Sequence, residues 1–197
     1  HVGAFESLAA GTPDGVYGHA VGNVPFGKGR SGVAGLDPVY ESENNVGDYF
    51  VLRTIDKVKP GGMVVLVVPH GMTDGANNKK LRDKVSRKAE FLGAHRMPSG
   101  TFAESGTATV VDVWVLRKHT EALKDIVDES ADKVLRSANV LWTEFIAGKW
   151  FQQDGKKFVH GEMERTDYQN MLVVKNDDQI TNAAMKAALS RKFDSRI

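Results

Sequence analysis

Apolar positions along this chain follow two periods, and their alternation predicts an α/β fold. Residues 16–22, Val16 to Gly22, form a short run of small and apolar residues that predicts a buried strand. Val46, Tyr49, Phe50, Leu52, Ile55 and Val58 recur near the helical period and predict a helix over 46–58. Lys57 and Lys59 sit at its end, where cations complement the helix dipole, and Pro60-Gly61-Gly62 stops it. Met63 to Val68 is an unbroken apolar run rich in valine, which predicts a strand buried on both faces, as in a parallel sheet. Asp74 is expected to cap a helix over 75–90. Phe91 to Met97 and Thr107 to Leu116 predict two further strands, able to pair with one another. Helices alternating with strands argue for a sheet domain with helices packed on it.

The connections refine this picture. Gly11-Thr12-Pro13-Asp14-Gly15 is a turn signal within a small, polar opening segment. Gly27, Gly29, Gly32, Gly35 and Gly47 mark the long stretch after the first strand as a mobile loop, and Lys28 and Arg30 lie in it. From Thr120 the texture changes. A charged amphipathic helix is expected over 120–137, and an irregular stretch over 139–170 holds Trp142, Trp150 and Phe151, with a hairpin turn at Asp154-Gly155. A last helix is expected over 178–193. The chain therefore divides into a sheet domain, 1–118, and a C-terminal helical and irregular extension, 119–197.

Composition narrows the function classes. The 197 residues suit one sizeable domain, and 41% hydrophobic with 26% charged residues is ordinary for a globular chain. A net charge of +1 means that any nucleic-acid contact needs a local patch. Lys79, Lys80, Arg82, Lys84, Arg87 and Lys88 form one basic run, although such runs commonly do no more than solvate a helix face. The absence of cysteine removes disulfides, thiolate nucleophiles and cysteine-based zinc sites, and fits a reducing compartment. His19, His70, His95, His119 and His160 lack ligand spacing, so no metal site is expected. Ser31, Ser99 and Ser105 have no nucleophile-elbow context. Gly27-Lys28-Gly29-Arg30-Ser31-Gly32 lacks Walker spacing and is better suited to touching a DNA backbone through Lys28 and Arg30. No apolar stretch reaches the roughly 18 residues of a membrane span, and no signal-peptide pattern is visible.

Asn23-Val24-Pro25-Phe26, at the end of the first apolar run, carries the candidate chemistry. Asn23 offers a side-chain carbonyl and Val24 a backbone carbonyl, held extended by the proline that follows. Phe26 offers a ring face. Such a set can hold the exocyclic amine of a base taken out of the DNA stack; a plain Asn/Pro turn is the alternative. His70, at the end of the Met63–Val68 strand, lies where open α/β sheets place ligands, although a turn histidine is the simpler assignment.

The ordered set resembles the N6-adenine DNA methyltransferases that use S-adenosylmethionine. It comprises Val21-Gly22-Asn23-Val24-Pro25-Phe26-Gly27, Lys59-Pro60-Gly61-Gly62-Met63 and Val68-Pro69-His70-Gly71. Leu92 to Pro98, Thr101-Phe102, Gly106-Thr107 and Asp112 to Leu116 are similar to methylase regions of large phage and mobile-element proteins, some of them anti-restriction factors. The resemblance spans roughly 15–118 and implies a partial Rossmann-like sheet. It implies that Asn23 and the Val24 carbonyl accept the adenine amine while Phe26 stacks on the flipped base, with catalysis by positioning. It further implies a DNA partner and a cytoplasmic, bacterial-host or phage-associated setting. Val24 stands where the family usually has Pro, and Gly18 where an acidic residue is common. No glycine-rich strand-to-helix turn precedes residue 16, and the chain starts at His1 rather than Met. The cofactor half is accordingly expected in a missing N-terminal half or a separate chain. A non-catalytic structural or DNA-binding module that keeps the fold is the other expectation.

Overall fold

The computed structural model describes residues 3–27, 29, 35–40, 43, 45–101, 109–120, 145, 148–153, 155–165 and 172–175. Helix α1 (Phe5–Gly11) precedes β1 (Ala20–Asn23), α2 (Val46–Lys57) and β2 (Met63–Pro69). A short α3 (His70–Asp74) and a 3-10 turn (Ala76–Asn78) lead into α4 (Lys79–Ser86), β3 (Ala89–Arg96) and β4 (Val111–Lys118). Beyond them lie α5 (Lys149–Gln152), a 3-10 turn (Lys156–Phe158) and the antiparallel pair β5 (Glu162–Arg165) and β6 (Leu172–Lys175).

The first four strands form one mixed sheet in the order β1-β2-β4-β3. β1 runs parallel to β2, while β4 enters between β2 and β3 and is antiparallel to both. The chain is thus an α/β protein, as its periodicity predicts. The core is the helix-covered face of this sheet. Val64, Leu66 and Val68 of β2 pack there with Val51, Leu52 and Ile55 of α2, Leu81 and Val85 of α4, and Trp114 of β4. Trp114 is fully buried and keeps its indole N–H satisfied by donating to Thr73 Oγ1 at 2.7 Å. Phe145, Trp150, Phe151 and Phe158 belong to the same cluster, so these aromatics pack a core rather than present ring faces to solvent.

Several expectations change at this level. β1 is shorter than 16–22 and is not buried: it is the sheet's edge, and Val21 is 83% exposed. Tyr17 makes only an isolated bridge to Val58. β2 alternates between buried and half-buried positions instead of being covered on both faces. Asp74 does not cap a long helix. It closes α3, and its carboxylate lies 2.8 Å from Arg96. Gly155 is part of no β-hairpin; its N–H donates to the Trp150 carbonyl at 2.8 Å and the chain turns into the 3-10 segment. The last predicted strand is shifted to Val111–Lys118. The helices expected over 120–137 and 178–193, together with Trp142 and Asp154, lie outside the described residues.

The turn from α2 into β2 explains its glycines. Gly61 has φ +76°, and a Cβ on Gly62 would stand 2.2 Å from the Gly18 carbonyl oxygen. Only glycine allows that approach. This turn sets the register of β2 beside β1, with Asn23 opposite Val67.

Candidate functional site at the end of the parallel strand pair

The sequence motif and the end of β2 come together. Asn23 is the last residue of β1, and its partner Val67 lies two residues before Pro69. Asn23 is exposed, Val24 turns inward with 2% exposure, Pro25 is half-buried, and Phe26 is 37% exposed. The motif therefore presents an amide and a ring to solvent on either side of an anchored residue. Val24 supplies the anchor in two ways. Its N–H donates to the Val67 carbonyl at 3.0 Å, and its side chain belongs to the core. A groove of about 340 Å³ runs along β1, lined in part by Phe5, Tyr17, Val21, Asn23, Val24 and Phe50. Lys28 and Arg30 lie outside the described residues.

The first turn of α2 packs beneath the motif. The Asn45 side chain caps it by accepting from the N–H groups of Gly47 and Asp48, at 2.9 and 3.2 Å. A Cβ on Gly47 would stand 2.6 Å from Met72 Cε and 3.4 Å from Val24 Cγ1, so α2, α3 and the motif meet closely here. In the same turn, burial pushes the Asp48 carboxyl up to about 6, with the Glu43 charge adding to the shift against Lys84.

Two buried charge networks hold the surroundings, and the sequence reading anticipated neither. In the first, Arg53 donates through Nε to Asp37 at 2.6 Å and through Nη1 to Asp14 at 2.8 Å. Asp37 also accepts from the Tyr49 hydroxyl at 2.7 Å. Burial alone would raise the Asp37 carboxyl, but the Arg53, Tyr49 and Val39 hydrogen bonds outweigh it and hold it below the usual carboxylate range. This ties the return leg of the long loop to α2. In the second network, Arg96 grips Asp112 through two 2.8 Å hydrogen bonds. Its Nη1 reaches Asp74, which lies 3.3 Å from His70 Nδ1. Burial opposes ionisation of Asp74, yet the His70 hydrogen bond and Arg96 keep its carboxyl low. His70 is thus a tethered residue behind the end of β2. The sequence signal for this network is an arginine and an aspartate inside otherwise apolar strands, since buried charges need partners.

The basic run is mostly spoken for within the fold. Arg82 is buried and donates to the carbonyls of Met72 and Gly75. Lys79 pairs with Asp83, Lys84 with Glu43 and Lys88 with Asp56. His95 and His160 face one another at 3.0 Å, and no metal-holding cluster of His, Cys, Asp or Glu occurs among the described residues. No described helix is long and apolar enough to cross a membrane.

Residues 19–157 match the family model of the N-6 DNA methylases. The chain belongs to the N-6 DNA methylase family. It is also 49% identical over 196 residues to the defense against restriction protein B of Escherichia phage P1; the match covers the whole of this chain but 9% of that protein. Among solved structures, it is similar to a Listeria monocytogenes protein assigned to the class I S-adenosylmethionine-dependent methyltransferases. That match has 16% identity and a TM-score of 0.47, covering 57% of this chain and 35% of the other. It is similar as well to the M protein of the type I restriction enzyme EcoKI, at 20% identity and a TM-score of 0.41, covering 55% and 22%.

Proposed function

We propose that this chain is the target-base half of an adenine-N6 DNA methyltransferase, acting in DNA modification or anti-restriction as part of a longer polypeptide. The reaction of the whole enzyme moves a methyl group from S-adenosylmethionine to the amine of a flipped adenine. The observation that carries this reading is the placement of Asn23-Val24-Pro25-Phe26 at the open end of β1 in a chain of the N-6 DNA methylase family. Asn23 and the Val24 carbonyl would accept the two amine hydrogens, leaving the nitrogen lone pair directed at the methyl group. The Phe26 ring would stack on the base. Lys28 and Arg30 would meet the DNA backbone.

The described residues do not fit the cofactor. The element before β1 is α1, and no glycine-rich turn from a strand into a helix is present among the described residues upstream of the motif. Cofactor binding then falls to a portion of the longer polypeptide or to a separate chain. Gly18 and Val24, at two positions where the family usually differs, favour a second reading: a DNA-binding module that keeps the fold without methyl transfer.

The two readings separate on one experiment. N6-methyladenine is measured in DNA from cells expressing the longer reading frame, wild type against Asn23→Ala. The methyltransferase reading expects a loss of roughly 100-fold or more, the scale of removing one preorganised hydrogen-bonding group. Equal methylation in both would reject Asn23 as the amine acceptor. Absence of methylation in both folded proteins would select the binding module.

A further inference from the structure

We infer that Pro69 is a positioning residue that keeps the Val24 carbonyl free to accept a ligand amine. The inference deepens the proposed base pocket and rests on that reading.

In a parallel pair, a residue facing its neighbour donates its N–H to one carbonyl and accepts, through its own carbonyl, from the N–H two residues further along. Val24 donates to the Val67 carbonyl. The next ladder bond would therefore run from the N–H of residue 69 to the Val24 carbonyl. Residue 69 is proline and has no N–H. Register agrees: Asn23 lies opposite Val67, and Val68 and Pro69 pair on their other side with Asp112 and Val111. Among the described residues, no backbone N–H and no side chain donates to the Val24 carbonyl. The ladder thus stops one bond short at the position where the pocket needs an open acceptor. Proline is otherwise confined to strand sites where a donor is not required. Here that site lies one ladder step beyond the last β1–β2 pair, Asn23 with Val67, while β4 remains paired on its other side through Val111.

Pro69→Ala tests this directly, because it adds the missing N–H while keeping a small side chain. In the 197-residue chain, the amide of residue 69 is expected to become slow to exchange and to show hydrogen-bond scalar coupling to the Val24 carbonyl by NMR. A freely exchanging amide at 69 would overturn the inference whatever the enzyme does. In the longer protein, Pro69→Ala is expected to lower kcat for methyl transfer roughly 10- to 100-fold, with a smaller change in KM for DNA. Replacing residue 69 by the α-hydroxy analogue of alanine, which has an ester and no N–H, is expected to restore the rate. Equal losses in the amide and ester variants would show that proline acts through its rigidity and would overturn the inference. So would an unimpaired Pro69→Ala enzyme. If the wild-type protein transfers no methyl group, the methyltransferase reading fails, and the NMR result alone decides whether Pro69 frees the carbonyl.

Discussion

Asp48 carries a cost that Asn45, its neighbour at the start of α2, does not. It sits in a helix first turn, where a carboxylate suits the dipole, but burial and the nearby Glu43 raise its carboxyl to about 6. One of its oxygens is buried without a hydrogen-bond partner among the described residues. The folded state then binds this proton more tightly than the unfolded chain, so stability falls as pH rises from about 4 to about 6. Asp48→Asn should remove that slope and stabilise the fold at pH 7 by about 1–2 kcal/mol, with little gain at pH 4. Thermal unfolding of both proteins across that range checks the sign. Asn23 and Phe26 behave differently: they are exposed polar and aromatic groups whose truncation should change stability little.

Between elements, the Arg96 network matters more than the basic run. Arg96 and Asp112 are both fully buried, and together they join β3 to β4 and, through Asp74, to α3. Removing one partner leaves an uncompensated charge in the core, so Asp112→Ala should cost about 3 kcal/mol or more. Asp83→Ala breaks the pair with Lys79, a residue 64% exposed, and should cost under about 0.5 kcal/mol. Denaturant titration of the two variants measures this contrast. The aromatics reinforce the same junction, since Arg96 stacks over Phe151 at 4.3 Å and Phe91 meets Trp114 edge-on. Phe145, Phe151 and Phe158 are thereby joined to edge strand β3 through Phe91, Arg96 and His95.

For the whole molecule, β1 presents an open edge of the main sheet. Val21 is exposed on this edge strand, with Val16 and Tyr17 exposed in the segment before it, where natural proteins usually place charges or cover. The chain corresponds to 9% of its phage relative. If cofactor binding lies elsewhere in a longer polypeptide, the isolated chain should give no saturable heat with S-adenosylmethionine in calorimetry, whereas the longer protein should. Saturable binding by the isolated chain would place the cofactor site within these residues. The net charge of +1 makes global attraction to DNA weak, so the proposed DNA contact would depend on local groups such as Lys28 and Arg30.

Local periodicity was enough to locate α2, β2 and β3, because a helical apolar stripe and an unbroken β-branched run report on neighbours a few residues apart. The contiguous motif from Asn23 to Phe26 was legible for the same reason: its donors, acceptors and ring lie on successive residues. Strand neighbours and register are long-range contacts, and no local period contains them. Packing therefore decided that β4 enters between β2 and β3, that β1 stands at the edge, and that Asp74 answers Arg96 instead of capping a helix. It also set Pro69 beside Val24, residues 45 positions apart in the chain (69 − 24), and so made a missing N–H on one strand into an open carbonyl on the other.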